Sequence, residues 1–191
     1  MRGGVVAVLL FCSIIAVSPA VHGFGQGPQE VEKWFQKHRH KKEKTTKLHF
    51  FFHDTVSGKN PTALMVAEAE TTAKSPTVFG ALYVMDDPLT VGPEPNSTLV
   101  GRAQGIYASA DQEERGLLMT LNLAFTSGKF KGSSLSVLGR NSGLNNYREM
   151  PIIGGSGVFR LARGTVTAQT RSFNVTTGDA VVEWHVIAIH Y

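Results

Sequence analysis

The rhythm of hydrophobic and polar positions changes at Lys47. From Leu48 onward, runs of seven to eleven residues rich in β-prone types recur, separated by Gly, Pro, Asn, Asp or Ser. Eight runs stand out, at 48–54, 63–69, 78–85, 99–108, 117–125, 133–139, 157–167 and 180–190. The breaks are turn material, as in Ser57-Gly58-Lys59-Asn60-Pro61, Asp86-Asp87-Pro88 and Thr177-Gly178-Asp179. No helix of ordinary length fits between the runs. Short connections favour antiparallel neighbours, and eight antiparallel strands without helical cover either close into a barrel or stack as a sandwich. Eight is also the number at which a barrel interior can hold one small ligand. The longest break, about Arg140 to Ser156, is predicted as a loop and carries Arg148 and Glu149 beside a glycine cluster.

The first run reads Leu48-His49-Phe50-Phe51-Phe52-His53-Asp54. Successive strand side chains point to opposite faces, so Leu48, Phe50, Phe52 and Asp54 share one face, and His49, Phe51 and His53 the other. A carboxylate therefore ends an apolar column. If that column faces the interior, desolvation raises the Asp54 pKa and equips it to handle protons. Several later runs, such as Val186-Ile187-Ala188-Ile189, are apolar on both faces. That predicts a covered outer face, most simply by other subunits.

N-terminal to Lys47 the chain has a different character. Met1-Arg2, an apolar run from Val5 to Val17 and small residues at Ser18, Ala20 and Gly23 follow the order of a secretory signal. The expected organisation is a signal peptide over 1–23, a basic arm over 24–46 and one domain over 47–191. The apolar run is too short for a membrane span, and no later stretch is long enough. Within the arm, Pro28 to about Gln36 predicts a short helix. Residues 1–47 hold 8 of the 19 Lys and Arg residues but only 3 of the 15 Asp and Glu. The run from Lys37 to Lys44 is read as a solvated arm able to contact an anionic cell-surface polymer; the signal argues against nucleic acid. The only cysteine, Cys12, falls inside the signal. Asn96-Ser97-Thr98 and Asn174-Val175-Thr176 are glycosylation sequons.

The residues narrow the chemistry. Without a cysteine in the mature chain, and with Gly154-Gly155-Ser156-Gly157-Val158 lacking the closing glycine of a nucleophile elbow, covalent catalysis finds little support. The same glycines precede no Lys-Ser/Thr pair, which disfavours a phosphate loop. His49 and His53 lie roughly 13 Å apart along one strand, too far for one ion. His185 and His190 are read as surface or interface residues, and no metal is expected. What remains is acid–base and electrostatic chemistry by Asp54, Arg148 and a phenol, Tyr107 or Tyr147.

Phe52-His53-Asp54, Asp86-Asp87-Pro88-Leu89-Thr90, Val100-Gly101-Arg102-Ala103-Gln104-Gly105, the Gly154-Gly155-Ser156-Gly157 turn and Ala162-Arg163-Gly164 occur in this order. Together they resemble the dirigent family of plants. The resemblance implies an eight-stranded antiparallel β-barrel, similar to allene oxide cyclase, assembled as a homotrimer (or a homodimer) and secreted to the apoplast. It implies no cofactor. It also implies that the barrel orients phenoxy radicals, made from a monolignol such as coniferyl alcohol by a separate laccase or peroxidase, and their quinone methide products in lignan formation. Related pterocarpan synthases dehydrate an isoflavanol through a quinone methide, which is the alternative. By the same resemblance Asp54 is the barrel-mouth acid, Arg148 the pocket arginine and Tyr107 a pocket phenol; Asn141 and Phe52 are read as substrate-binding residues beside them. Lignan-forming members have an aspartate where this chain has Asn141. An amide can orient a phenol but cannot take its proton, which leaves dehydration, or coupling of another phenol, more open. A third reading is a wall protein that binds polyanions through residues 37–47.

Overall fold

The structure, a computed structural model, describes residues 27–191; the signal peptide expected over 1–23 lies outside them. A helix, α1 (Pro28–His38), precedes nine strands: β1 (Lys44–Asp54), β2 (Ala63–Ala67), β3 (Leu82–Thr90), β4 (Leu99–Ser109), β5 (Gly116–Phe125), β6 (Ser134–Ser142), β7 (Arg148–Ser156), β8 (Arg163–Phe173) and β9 (Ala180–His190). Every pairing is antiparallel. The sheet runs β1-β9-β8-β7-β6-β5-β4-β3, and β1 pairs again with β3 to close an eight-stranded barrel. β2 lies on β3 outside that ring.

The expected number of barrel strands is met, but by a different set. The run at 63–69 supplies β2, which is not a ring member, and the segment expected as a loop over 140–156 contains β7. Pro151 and the glycine pair disguised that strand. The β6–β7 ladder stops at Val137 and Ile152, so Pro151 has Thr165 of β8 as its only ladder partner and its missing N–H leaves no gap in the β6 ladder. Arg148, Met150 and Ile152 then share the buried face. The strand expected at 157–167 begins six residues later, after a single 3₁₀ turn at Gly157–Phe159. Asp86-Asp87-Pro88, expected as a turn, belongs to β3. Its proline falls between the stretch of β3 paired with β2 and the stretch paired with β1, where a backbone donor is not needed.

β1 extends the first run back to Lys44 by pairing with β9 over all eleven of its residues. Its polar beginning, Lys44-Thr45-Thr46-Lys47, has no hydrophobic signal of its own and is a strand because β9 is there to pair with it. The helix foreseen from Pro28 forms and meets the barrel from outside, where the Arg160 guanidinium sits 4.7 Å from the Trp34 ring centroid; Arg163 pairs with Glu43, just before β1.

Inside, the barrel has two distinct ends. At one end Phe125, Phe130 and Phe159 pack with centroids 4.9 to 6.0 Å apart, with His190 edge-on to Phe159, and seal it. Phe50 and Phe52 of β1 stack on Trp184 of β9 at mid-height. Strand crossings are tight enough that glycine is required at Gly164, whose φ is +154° and whose added Cβ would lie 1.9 Å from the Ile187 carbonyl oxygen. Gly164→Ala is accordingly expected to lower unfolding stability by about 1–3 kcal/mol, read as a lower denaturant midpoint at unchanged slope.

Candidate functional site

The open end of the barrel is ringed by the ends of β1, β4, β6 and β8 and the beginnings of β3, β5, β7 and β9. Between them lies a cavity of about 490 Å³, within the size range of small-molecule sites. Phe52, Met119, Val182 and Trp184 form its floor and apolar walls, and Tyr83 and Tyr107 stack at 4.8 Å along one side. Asp54, Arg148 and Asn141 provide its polar groups. All five side chains anticipated for the site, Asp54, Arg148, Tyr107, Asn141 and Phe52, line this one cavity. Tyr147, the other phenol considered, is exposed and does not.

Asp54 ends the apolar column of β1. Burial pushes its carboxyl up to about 6, and the Asp179 charge adds to this, while the Tyr107 phenol, placed to donate to it, holds it back. One carboxyl oxygen, Oδ1, is buried without a partner. Asp179 itself stays ionised because it accepts hydrogen bonds from Ser57 Oγ (2.6 Å), Thr177 Oγ1 and the Val56 and Ser57 backbone N–H groups. That carboxylate fastens the loop after β1 to the β8–β9 turn and so shapes one lip of the cavity.

Arg148, at the start of β7, is 5% exposed, and burial lowers its pKa. Its Nε donates to Asn141 Oδ1 at 3.1 Å and its Nη1 to the Asn145 carbonyl at 3.3 Å. Both acceptors are neutral. The guanidinium is thus oriented without being neutralised, and its charge remains available to an oxyanion in the cavity.

Sequence reasoning missed Asp87, which it assigned to a turn. In β3 this residue points inward between Met85 and Leu89, is 0% exposed, and has no hydrogen-bond partner on either carboxyl oxygen. The nearby Thr62 hydroxyl holds the pKa of this carboxyl back only in part. Phe52 of β1 pairs with Leu89 of β3, so extending that register by two residues sets Asp54 level with Asp87 on the same inward face. Burial, followed by the nearby Asp54 charge, pushes Asp87 up to about 8. Two carboxyls so placed cannot both ionise cheaply, so the pair holds a proton well above the ordinary carboxylate range. The only sequence signal was period-two spacing from Met85 to Leu89, masked by the Asp-Pro pair.

The dirigent-like protein family model matches residues 45–189. The chain belongs to the dirigent family. This dirigent chain is 58% identical over 151 residues to dirigent protein 21 of Arabidopsis thaliana, covering 79% of this chain and 80% of that one. It is 53% identical to pterocarpan synthase 1 of Glycine max, over 79% of this chain and 82% of the relative. A solved pterocarpan synthase dirigent structure matches with a TM-score of 0.75 at 51% identity, covering 79% of this chain and 87% of that one. These matches agree with the barrel and with the family read from the motifs.

A raised carboxyl pKa in the folded state makes stability greatest at low pH. The folded dirigent barrel holds the Asp87 proton until about pH 8, whereas the unfolded chain releases it near pH 4, so stability is lost as pH rises through that window. Asp87→Asn removes this contribution. Between pH 5 and pH 8 the wild type should lose at least ~1 kcal/mol more unfolding free energy than Asp87→Asn, measured by urea titration at both pH values.

Proposed function

We propose that this dirigent protein binds phenolic intermediates in the open end of its barrel and imparts stereoselectivity on phenoxy-radical coupling of a monolignol of the coniferyl alcohol type. An oxidase removes one electron and one proton from each phenol outside the barrel. Two radicals then join by a carbon–carbon bond to give a bis-quinone methide. Ring closure follows when a side-chain hydroxyl adds to the quinone methide carbon; Asp54 accepts the hydroxyl proton, and Arg148 stabilises the phenolate charge that appears on the far oxygen until it is protonated. The walls decide which face is presented. The supporting observation is that an acid of raised pKa, a phenol and an uncompensated guanidinium share one apolar cavity with a single open end.

The same groups suit an isoflavanol dehydratase of the pterocarpan synthase type, and one observation favours it. Loss of water from a phenolic alcohol needs a proton for the leaving hydroxyl and a cation facing the phenolic oxygen as the quinone methide forms. Arg148 on a neutral Asn141 is such a cation, where an aspartate at 141 would offset its charge. One experiment separates the two readings. Purified protein is supplied either with coniferyl alcohol plus a laccase or with an isoflavan-4-ol and no oxidant, and products are resolved by chiral chromatography. Enantiomeric excess only in the first arm supports coupling, and turnover in the second supports dehydration. In whichever arm responds, Asp54→Ala should reduce the effect about 10²-fold or more, while Tyr147→Phe leaves it unchanged.

Secretion and assembly belong to the same proposal. Asn96 and Asn174 both lie in exposed turns, open to glycan addition, and among the described residues no helix is long and apolar enough to cross a membrane. On the outer wall, Leu64, Val84, Ile106 and Leu138, all at least 37% exposed, fall with Thr120 on one cross-strand row over β2 to β6. A row of this kind fits an interface between copies, as in a homotrimer. Ile106→Glu should then shift the solution mass by light scattering to that of one chain while leaving far-ultraviolet circular dichroism unchanged.

A further inference from the structure

The outer wall carries a second cluster that the cavity chemistry does not use. Antiparallel pairing sets His49 of β1 directly opposite His185 of β9, and their rings stack at 4.6 Å. Glu183, two residues before His185 and so on the same outer face, has its Oε1 2.5 Å from His49 Nε2 and 3.5 Å from His185 Nε2. The three donor atoms lie within 4.8 Å of one another. Spacing along one strand could not reveal this, because the imidazoles meet across the β1–β9 seam.

Glu183 is fixed from its other side. The β8–β9 register slips between Thr170 and Ser172, leaving Arg171 as the extra residue of a bulge, and its Nε donates to Glu183 Oε2 at 2.6 Å. Bulges re-aim side chains in this way. Arg171 occupies one carboxylate oxygen and leaves the other facing the two imidazoles. An outer group that orients a ligating carboxylate is what a metal site requires.

We propose that His49, Glu183 and His185 form a site for a divalent transition-metal ion, with Zn²⁺ as the fitting occupant and Arg171 as the positioning residue. Two imidazole nitrogens and one carboxylate oxygen are a borderline-soft donor set suited to zinc or copper rather than to calcium or magnesium. Tetrahedral zinc with bonds near 2.0–2.2 Å needs ligand atoms about 3.3 Å apart. The Glu183–His185 separation already meets this. The Glu183–His49 pair must open by slightly under ~1 Å, which a rotation of the half-exposed His49 ring provides. The fourth coordination position faces solvent and can take water. Bound there, the ion joins the first and last strands of the barrel.

Isothermal titration of the metal-stripped secreted chain with Zn²⁺ alone tests the site. The expected result is one ion per chain, with affinity falling at least tenfold in both His49→Gln and His185→Gln and by less in Arg171→Ala. The His38→Ala/His40→Ala variant of the same chain should bind as the wild type does. No saturable binding, wild-type affinity in the His49→Gln/His185→Gln variant, or loss of binding only in the His38/His40 variant would overturn the proposal. Should the outer-wall variants fail to fold, anomalous diffraction at the zinc edge from wild-type crystals soaked in Zn²⁺ decides it: a peak between the three side chains supports the site and its absence refutes it.

Discussion

Everything in this barrel depends on β1 holding two neighbours at once. Its eleven-residue ladder with β9 joins the first and last strands, and two residue pairs with β3 complete the ring. Closure pairs the ring strands on both sides, provides the interior into which Phe50 and Phe52 turn, and leaves the strand ends as the way into that interior. It also creates the acid pair. Asp54 and Asp87 are distant in sequence and on strands that are not consecutive, and the short β1–β3 contact sets them at one level inside the rim.

Much of this was legible from residue order. The alternation in 48–54 set Phe50, Phe52 and Asp54 on one face, and that face turns inward, with Phe50 and Phe52 in the core and Asp54 on the cavity wall. The motifs that resemble the dirigent family pointed to the fold and to the side chains around the cavity. Where the reading failed, local chemistry had suggested one state and pairing imposed another. Pro88 and Pro151 marked apparent turns, yet each sits where a neighbouring ladder is interrupted and its missing donor has no partner to fail. Lys44 to Lys47 looked like arm because hydrophobicity was the only signal available, and strand pairing does not need it.

The same limit hid both clusters of titratable groups. A sequence shows spacing along one strand but not which residues face each other across two. Asp87 was therefore read as turn material, and His49 was weighed against His53, four residues along its own strand, rather than against His185, its partner on β9. Asn141 shows the converse. Its identity was visible from the start, but its effect became clear only once its amide oxygen was found on Arg148 Nε, leaving a buried cation oriented and still charged.

Val78 lies on the rim of the cavity with φ at +59°, a conformation that a β-branched residue rarely adopts. Its surroundings over-determine it. Ser75 Oγ accepts from the Phe79 backbone, Thr77 Oγ1 donates to the Asp111 carbonyl, and Ser109 Oγ donates to the Thr77 carbonyl at 2.6 Å. Backbone held in this way costs on the order of 1–3 kcal/mol, supplied by the rest of the fold. The consequence is that this part of the doorway is set before any guest arrives. A phenolic ligand meets a preset aperture there, and discrimination at that edge rests on shape already invested in folding rather than on rearrangement during binding.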